Sequence, residues 1–468
     1  MNKKKLSWYN LSLLAFSGVW SFGNIINGFA TYGGVRAIVP WLITIVLYFI
    51  PYSQMVGELG STFSGDGGGV SSWINNTIGP KAAYLAGWTY WIVHMPYISQ
   101  KPSKIIVACG WIIFGDNRAQ SLPTIMISII SLAIIALVIV MALQGINFLK
   151  KIASIAGMAS FVLSMLYIVM MFSAKAVGNG SFTGVSLSFD TYKPEINGLF
   201  FLNLSILLFA LGGCEKTSPY VNQMKNPGKD YPLGMIILAI MTAVSAILGT
   251  IAMGMMFDSN NIPKDLITNG GYYAFQMLGK HYGLGNFFVI VYALCELCGQ
   301  LAVLIVSIDA PLKILLDNAD EHYIPKQMLK KNKNGIYVNG VKVVAAIVSI
   351  LIIIPAFGIG EMNELVVWLV KINSVCMPLR YLWVFVAYIG LKSLQTRQEV
   401  KADYRFIKNP ILGKIMGGWC FLLTATACMM GIYSENKFEM ILNIVVPLFL
   451  IGLGGVFPMI AKRTGNHN

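Results

Sequence analysis

The chain has 468 residues, 56% of them hydrophobic and 12% charged, with a net charge of +14 and a mean hydropathy of +0.67. Soluble domains carry about a quarter charged residues, so this composition excludes an ordinary soluble enzyme and describes a polytopic membrane protein. A hydrocarbon slab about 30 Å thick needs about 20 apolar residues per helix, which gives room for about a dozen spans. The basic excess reads as a positive-inside bias, and no nucleic-acid partner is expected.

Taken in chain order, Met1–Lys5 leads into a long apolar run without a small-residue cleavage site, which reads as a retained first span. Hydropathy predicts twelve segments, near 10–33, 37–59, 83–114, 122–143, 152–173, 197–214, 233–256, 286–308, 342–359, 364–391, 412–433 and 440–461. Together they form one transmembrane domain over 1–460, followed by a short tail at 461–468. Long outer loops are expected near 174–196 and 257–285. The inner loop 309–341 carries both charge signs and is expected to hold a short helix parallel to the membrane. With this map 23 Lys and Arg residues fall on the side of Lys3 and 7 on the other. That asymmetry puts both termini in the cytoplasm of a multi-pass protein of the cytoplasmic membrane. Stretches such as 125–143 are apolar on every side, which suits helices and not barrel strands.

All seven cysteines lie in apolar segments, where they pack as small buried residues. Cys295 and Cys298 form a single CxxC pair without a second pair or a nearby histidine, so no metal is expected, and no motif calls for a cofactor. The run Gly65–Ser72 lacks the Gly-Lys-Ser/Thr of a phosphate loop and reads as a turn. His94 is expected to be a packed core residue.

Two spans look irregular. The first carries Ser21-Phe22-Gly23-Asn24-Ile25-Ile26-Asn27-Gly28 near its middle, and the sixth carries Ala210-Leu211-Gly212-Gly213-Cys214-Glu215 with Pro219 soon after. Irregular backbone at membrane depth is tolerated where it lines a cavity, and matched breaks in two halves of a chain point to a transporter substrate site. Glycine for close helix packing explains either segment singly; the matched pair favours function. The candidate substrate-binding residues are Trp20, Ser21, Phe22, Gly23, Asn24, Ile25, Phe209, Ala210, Leu211, Gly212 and Gly213. Trp20 and Phe209 enter as aromatic neighbours of the breaks.

Ionisable residues inside spans are functional candidates because an unpaired charge in the bilayer is costly. Lys101 and Lys104 are three apart and share a helix face; Glu296 lies mid-span, and Lys371 and Arg380 lie in span ten. Glu296 is expected to pair with one of the two lysines. Lys371 and Arg380 also admit plainer roles, one snorkelling to a helix end and the other sitting in a static ion pair. The coupling or charge network comprises Glu215, Glu296, Lys101, Lys104 and Lys371.

Gly57-Glu58-Leu59-Gly60, then Gly67 to Trp73, Gly79-Pro80 and Leu85-Ala86-Gly87-Trp88, resemble the signature of the amino acid/polyamine/organocation permeases. Phe209 to Glu215, continuing through Tyr220 to Pro232, resembles that family's sixth-helix motif. Asn332-Lys333-Asn334-Gly335 is similar to the glutamate/GABA antiporter branch, and within it to the YjeM-type bacterial transporters. The resemblance implies an all-α membrane protein of about twelve helices, with helices 1–5 and 6–10 forming an inverted repeat and two more at the C-terminus. It also implies alternating access around broken helices 1 and 6. Gly23 and Asn24 would lie in the unwound part of helix 1, Ala210 to Gly213 in that of helix 6, and Glu215 just beyond it.

The chain departs from the family at Gln223, where Glu is usual, and at Gly65-Asp66, where proline is usual. No long C-terminal tail is present to plug a pore, and the middle of span five lacks the lysine that replaces sodium in some relatives. The expected function is secondary transport of an amino acid or related amine-bearing metabolite. A neutral or acidic substrate is favoured, exchanged or co-transported with a proton or counter-substrate. A channel would want polar rings and an enzyme a catalytic cluster; neither is visible. An amino-acid-binding membrane receptor, or a channel, without coupled transport is the alternative.

Overall fold

Backbone polar groups in hydrocarbon must be bonded within their own segment. The computed structural model describes residues 6–65, 69–144, 147–174, 189–318 and 321–463, and among the described residues it contains helices and no strands. Among the described residues, nine stretches are long and apolar enough to cross a membrane. They coincide with predicted segments 2, 4 and 6–12.

The first segment is two short helices, α1 (Trp8–Val19) and α2 (Phe22–Thr31). The second, Gly34–Thr62, is a composite of a 3-10 turn, α3 (Ile38–Thr44), a π-helical turn at Ile45–Phe49 and α4 (Ile50–Thr62). A short α5 (Val70–Thr77) leads into α6 (Pro80–Ile92) and α7 (His94–Phe114), so segment three is interrupted at Val93. Then come α8 (Thr124–Leu143), α9 (Asn147–Ser173) and the single turn α10 (Phe189–Tyr192). Segment six divides into α11 (Gly198–Leu202), α12 (Leu204–Leu211) and a 3-10 helix, Cys214–Gln223. The chain continues through α13 (Pro227–Met256), α14 (Leu266–His281), α15 (Phe287–Asn318), α16 (Val338–Ile353), α17 (Met362–Cys376) and α18 (Leu379–Thr396). It ends with α19 (Pro410–Gly431), α20 (Lys437–Gly452) and α21 (Val456–Arg463).

Two loop expectations need correction. Residues 257–285 are not an outer loop throughout, because α14 fills 266–281. Its packing face is made of small residues: a Cβ on Gly271 would lie 2.3 Å from the Tyr292 hydroxyl of α15, and one on Gly270 would lie 3.0 Å from Ile26 of α2. Such a face buries well but scores poorly in hydropathy. In the inner loop 309–341, α15 runs on to Asn318 and the remainder holds two one-turn 3-10 helices, Glu321–Tyr323 and Lys326–Leu329, in place of one short helix. Residues 66–68 of the Gly65–Ser72 turn, 175–188 of the predicted loop 174–196, Met1–Lys5 and tail positions 464–468 lie outside the described residues.

The helices that frame the centre are fixed by aromatic and polar contacts. Phe22 of α2 packs edge-on to Tyr167 of α9 at 4.8 Å and Phe275 of α14 at 5.5 Å, and Phe275 stacks on Tyr292 at 4.7 Å. Edge-to-face and offset pairs each add about 0.5–1.5 kcal/mol beyond area burial. Near the start of α14, the Asp265 carboxylate accepts from Tyr273 at 2.5 Å and Asn269 at 2.9 Å, while the Asn269 oxygen accepts from the Trp111 indole at 2.8 Å. Toward the other end, Glu58 of α4 is fully buried and accepts from Lys392 at 2.6 Å, Gln395 at 2.9 Å, Tyr388 at 3.2 Å and the Phe406 backbone at 3.0 Å. A buried ion pair repays desolvation only when its remaining lone pairs are bonded as well, and these contacts satisfy that condition.

Candidate functional site

Helix α1 stops at Val19 because Trp20 (φ −110°, ψ 139°) and Ser21 (φ −144°, ψ 162°) are extended. The unwound residues are therefore Trp20 and Ser21. Gly23 and Asn24, expected in the unwound part, occupy the first turn of α2. Ser21 is the N-cap, a position serine favours, but its side chain bonds no backbone N–H. The first N–H groups of α2 have no intrahelical acceptor, so this end presents donors and the positive end of the helix dipole.

The second break is formed by Gly212, extended (ψ 159°), and Gly213, at φ +112° where side chains are strained. Ala210 and Leu211, also expected to be unwound, are the last residues of α12. Gly212 is fitted to Tyr381: a Cβ there would lie 2.0 Å from the ring carbon and hydroxyl.

One side chain joins the breaks. The Asn24 amide donates to Val19 O at 3.2 Å and to Ala210 O at 3.1 Å. It thereby satisfies a carbonyl at the C-terminal end of each half-helix with the two N–H groups it owns. Ser21 Oγ reaches Asn24 Oδ1 at 3.4 Å.

Other candidate residues are structural. Trp20 is buried edge-on to Trp41 at 5.2 Å, and Phe22 lies in the aromatic cluster already described. Ile25 is buried against α13, where a Cβ on Gly249 would meet its Cδ1 at 2.3 Å. Leu211 is buried and Phe209 half-buried. Ser21 is exposed to solvent, and Gly23 has room, with only Ser21 Oγ within 4 Å of a Cβ built on it.

Behind the second break lies a buried charge network. The Tyr52 hydroxyl donates to Glu215 at 2.5 Å, and Arg380 Nε lies 3.4 Å from the same carboxylate. Both side chains of that ion pair are 1% exposed. Arg380 also donates to the Tyr381 hydroxyl at 3.1 Å and meets His94 Nε2 at 2.8 Å. The other ring nitrogen of His94 is 2.6 Å from Tyr90 O. A guanidinium can only donate and a carbonyl can only accept, so this geometry sets His94 as the neutral Nδ1–H tautomer. His94 is packed in the core, and it also orients Arg380.

Lys101 is 4% exposed with its Nζ 3.8 Å over the Tyr97 ring. Lys104 is half-buried on the same face, and Glu296 of α15 lies within electrostatic range of both. The expected ion pair does not close: Glu296 accepts instead from Gln300 of its own helix at 2.9 Å, and no cation stands within 4 Å of it among the described residues. Lys371 has other electrostatic neighbours, Glu435 and Glu439.

Lys216 is not among the residues that the sequence singles out. Its Nζ folds back to 3.6 Å from where a Gly213 Cβ would be, within electrostatic range of Lys101, Arg380 and Glu215. The residue is solvent-accessible although protein surrounds most of it, which places it at a narrow recess beside the break. The adjacency Glu215-Lys216, one residue after Gly212-Gly213, was the available signal. Tyr52 and Lys392 carried none, because Glu215 and Glu58 lie 163 and 334 residues from them, and Tyr381 meets Gly212 from a distant helix.

Comparison with known proteins shows the family. A family model for amino acid permeases matches residues 6–450. The aspartate/glutamate permease AcaP of Lactococcus lactis subsp. cremoris (strain MG1363) is 46% identical over 99% of this chain and 96% of its own length. The inner membrane transporter YjeM of Escherichia coli (strain K12) is 23% identical over 88% and 86%. The glutamate/gamma-aminobutyrate antiporter of Lactococcus lactis subsp. lactis (strain IL1403) is 23% identical over 91% and 83%. The chain belongs to the amino acid permease family, and it is a multi-pass membrane protein.

Proposed function

We propose that this amino acid permease is a secondary transporter of an acidic amino acid, aspartate or glutamate. In this reading it works by alternating access around the breaks at Trp20–Ser21 and Gly212–Gly213. The observation that carries the reading is the meeting of the two breaks through Asn24, with bare helix-start donors on α2 and a helix end on α12 side by side. Donors at a half-helix start suit the substrate α-carboxylate, and carbonyls at a half-helix end suit its ammonium group. The printed activity of the 46% identical relative supports the acidic class. In the same reading α1–α2, α6–α7 and α9 complete twelve crossings, helices 1–5 and 6–10 are inverted repeats, and both termini face the cytoplasm of a bacterial inner membrane. Flux is coupled to a proton or to a counter-substrate.

Counterflow in proteoliposomes tests this. Vesicles preloaded with aspartate, glutamate, neutral amino acids or polyamines are followed for entry of the labelled compound, with and without pH and sodium gradients. Saturable counterflow of aspartate or glutamate is expected. Binding of either with no flux would overturn transport in favour of a receptor, and flux restricted to polyamines would overturn the substrate class.

A further inference from the structure

Lys216, Arg380 and Glu215 stand beside the second break, and Lys216 is within electrostatic range of Lys101, whose own cluster adds Lys104 and Glu296, so that four cationic side chains face two carboxylates. His94 adds no charge, since its two hydrogen bonds hold it neutral. With all three lysines charged, the cluster would hold an excess of two positive charges in an interior where unpaired charge costs several kcal/mol.

That excess is unevenly distributed. Arg380 is spent: His94, Tyr381 and Glu215 occupy its faces. Glu296 is held by Gln300. Lys101 is different, because it is nine-tenths buried and, among the described residues, only the Tyr97 ring meets its ammonium, with no carboxylate or carbonyl in hydrogen-bond range. A ring face stabilises an ammonium by about 0.5–2 kcal/mol, less than the several kcal/mol that burial of a charge costs. Lys216 shares Tyr97 as an electrostatic neighbour with the Lys101 cluster and stands in the water-accessible recess at Gly213. A buried lysine without an anion, within electrostatic range of a second one that reaches solvent beside Gly213, is the complement of a mobile carboxylate.

We propose that Lys101 and Lys216 form the subsite for the substrate's side-chain carboxylate and so set the preference for acidic over uncharged amino acids. The assignment rests on the transporter reading above and deepens it. An aspartate or glutamate zwitterion brings one net negative charge, which lowers the cluster's excess. A polyamine raises it and is rejected.

The test measures KM for glutamate and inhibition by aspartate, glutamine and asparagine in proteoliposomes of the wild type, Lys101→Gln, Lys101→Arg and Lys216→Gln. Truncating one partner of a desolvated charge pair costs 2–5 kcal/mol, so each Gln variant is expected to raise KM for glutamate by at least about tenfold. Inhibition by glutamine should be unchanged or stronger, and Lys101→Arg should keep the acidic preference. An unchanged glutamate-to-glutamine preference in both Gln variants, with a wild type that moves glutamate, overturns this inference alone. A wild type that handles no acidic amino acid overturns the reading beneath it. Should Lys101→Gln fail to fold, Lys216→Gln, at the solvent-accessible position, decides the question.

Discussion

Asn24 donates its side-chain amide to the carbonyl of Ala210 at 3.1 Å across 186 residues of sequence, and to Val19 at 3.2 Å. One amide thus closes two helix ends that lipid would otherwise leave bare, and it fixes the distance between the breaks. Removing it leaves two carbonyls without this donor at a cost of about 1–3 kcal/mol each if they stay dry. Asn24→Ala should therefore lower the thermal midpoint in detergent and weaken substrate binding together. Asn24→Asp should be worse, since a carboxylate faces two carbonyl oxygens. A variant with wild-type melting and wild-type KM would show that the breaks are held by other contacts.

The two glycine-bearing breaks differ in what they tolerate. Gly212 lies against Tyr381, so Gly212→Val overpacks a rigid ring, at a cost of about 1–3 kcal/mol or more. Gly23 has open space beside Ser21. Gly23→Val should fold with little loss of stability yet lose substrate binding, because its side chain fills the space at the α2 start. Melting curves and binding measured on the same preparations separate the two effects. Retained affinity in both variants removes the breaks from the site.

The inner network offers a stability test. Glu58 and Lys392 are both fully buried, 2.6 Å apart. Lys392→Met should destabilise by about 3–5 kcal/mol, because it strands a buried carboxylate. Glu58→Gln in the same chain should restore part of that loss by removing the stranded charge. A double-mutant cycle on unfolding measures it, and additive effects of the two substitutions would show that the pair is not coupled.

The membrane segments were legible because their signal is local: hydropathy finds an apolar run whatever it packs against. The breaks were legible as regions but not as residues. Asn24 looks like a helix breaker in sequence, yet it sits inside a helix and spends its amide on backbone groups elsewhere. Ser21 followed three residues later by a polar side chain is a helix-start signal that fits the observed boundary. Helix α14 was hidden because glycines build its packing face. Lys392 carries no local signal, because its buried partner Glu58 comes from a helix far along the chain.

Glu296 accepts from Gln300 at 2.9 Å and lies in electrostatic range of Lys101 and Lys104 without closing a pair with either. A static salt bridge would have satisfied it. A half-buried carboxylate inside a span, held by a single neutral donor, is instead open to a part in coupling. Glu296→Gln keeps the shape and removes that option, so uptake driven by a pH gradient should be abolished while exchange at equal pH continues. If gradient-driven uptake and its pH dependence survive the substitution, Glu296 is an electrostatic spectator and coupling must run through another group.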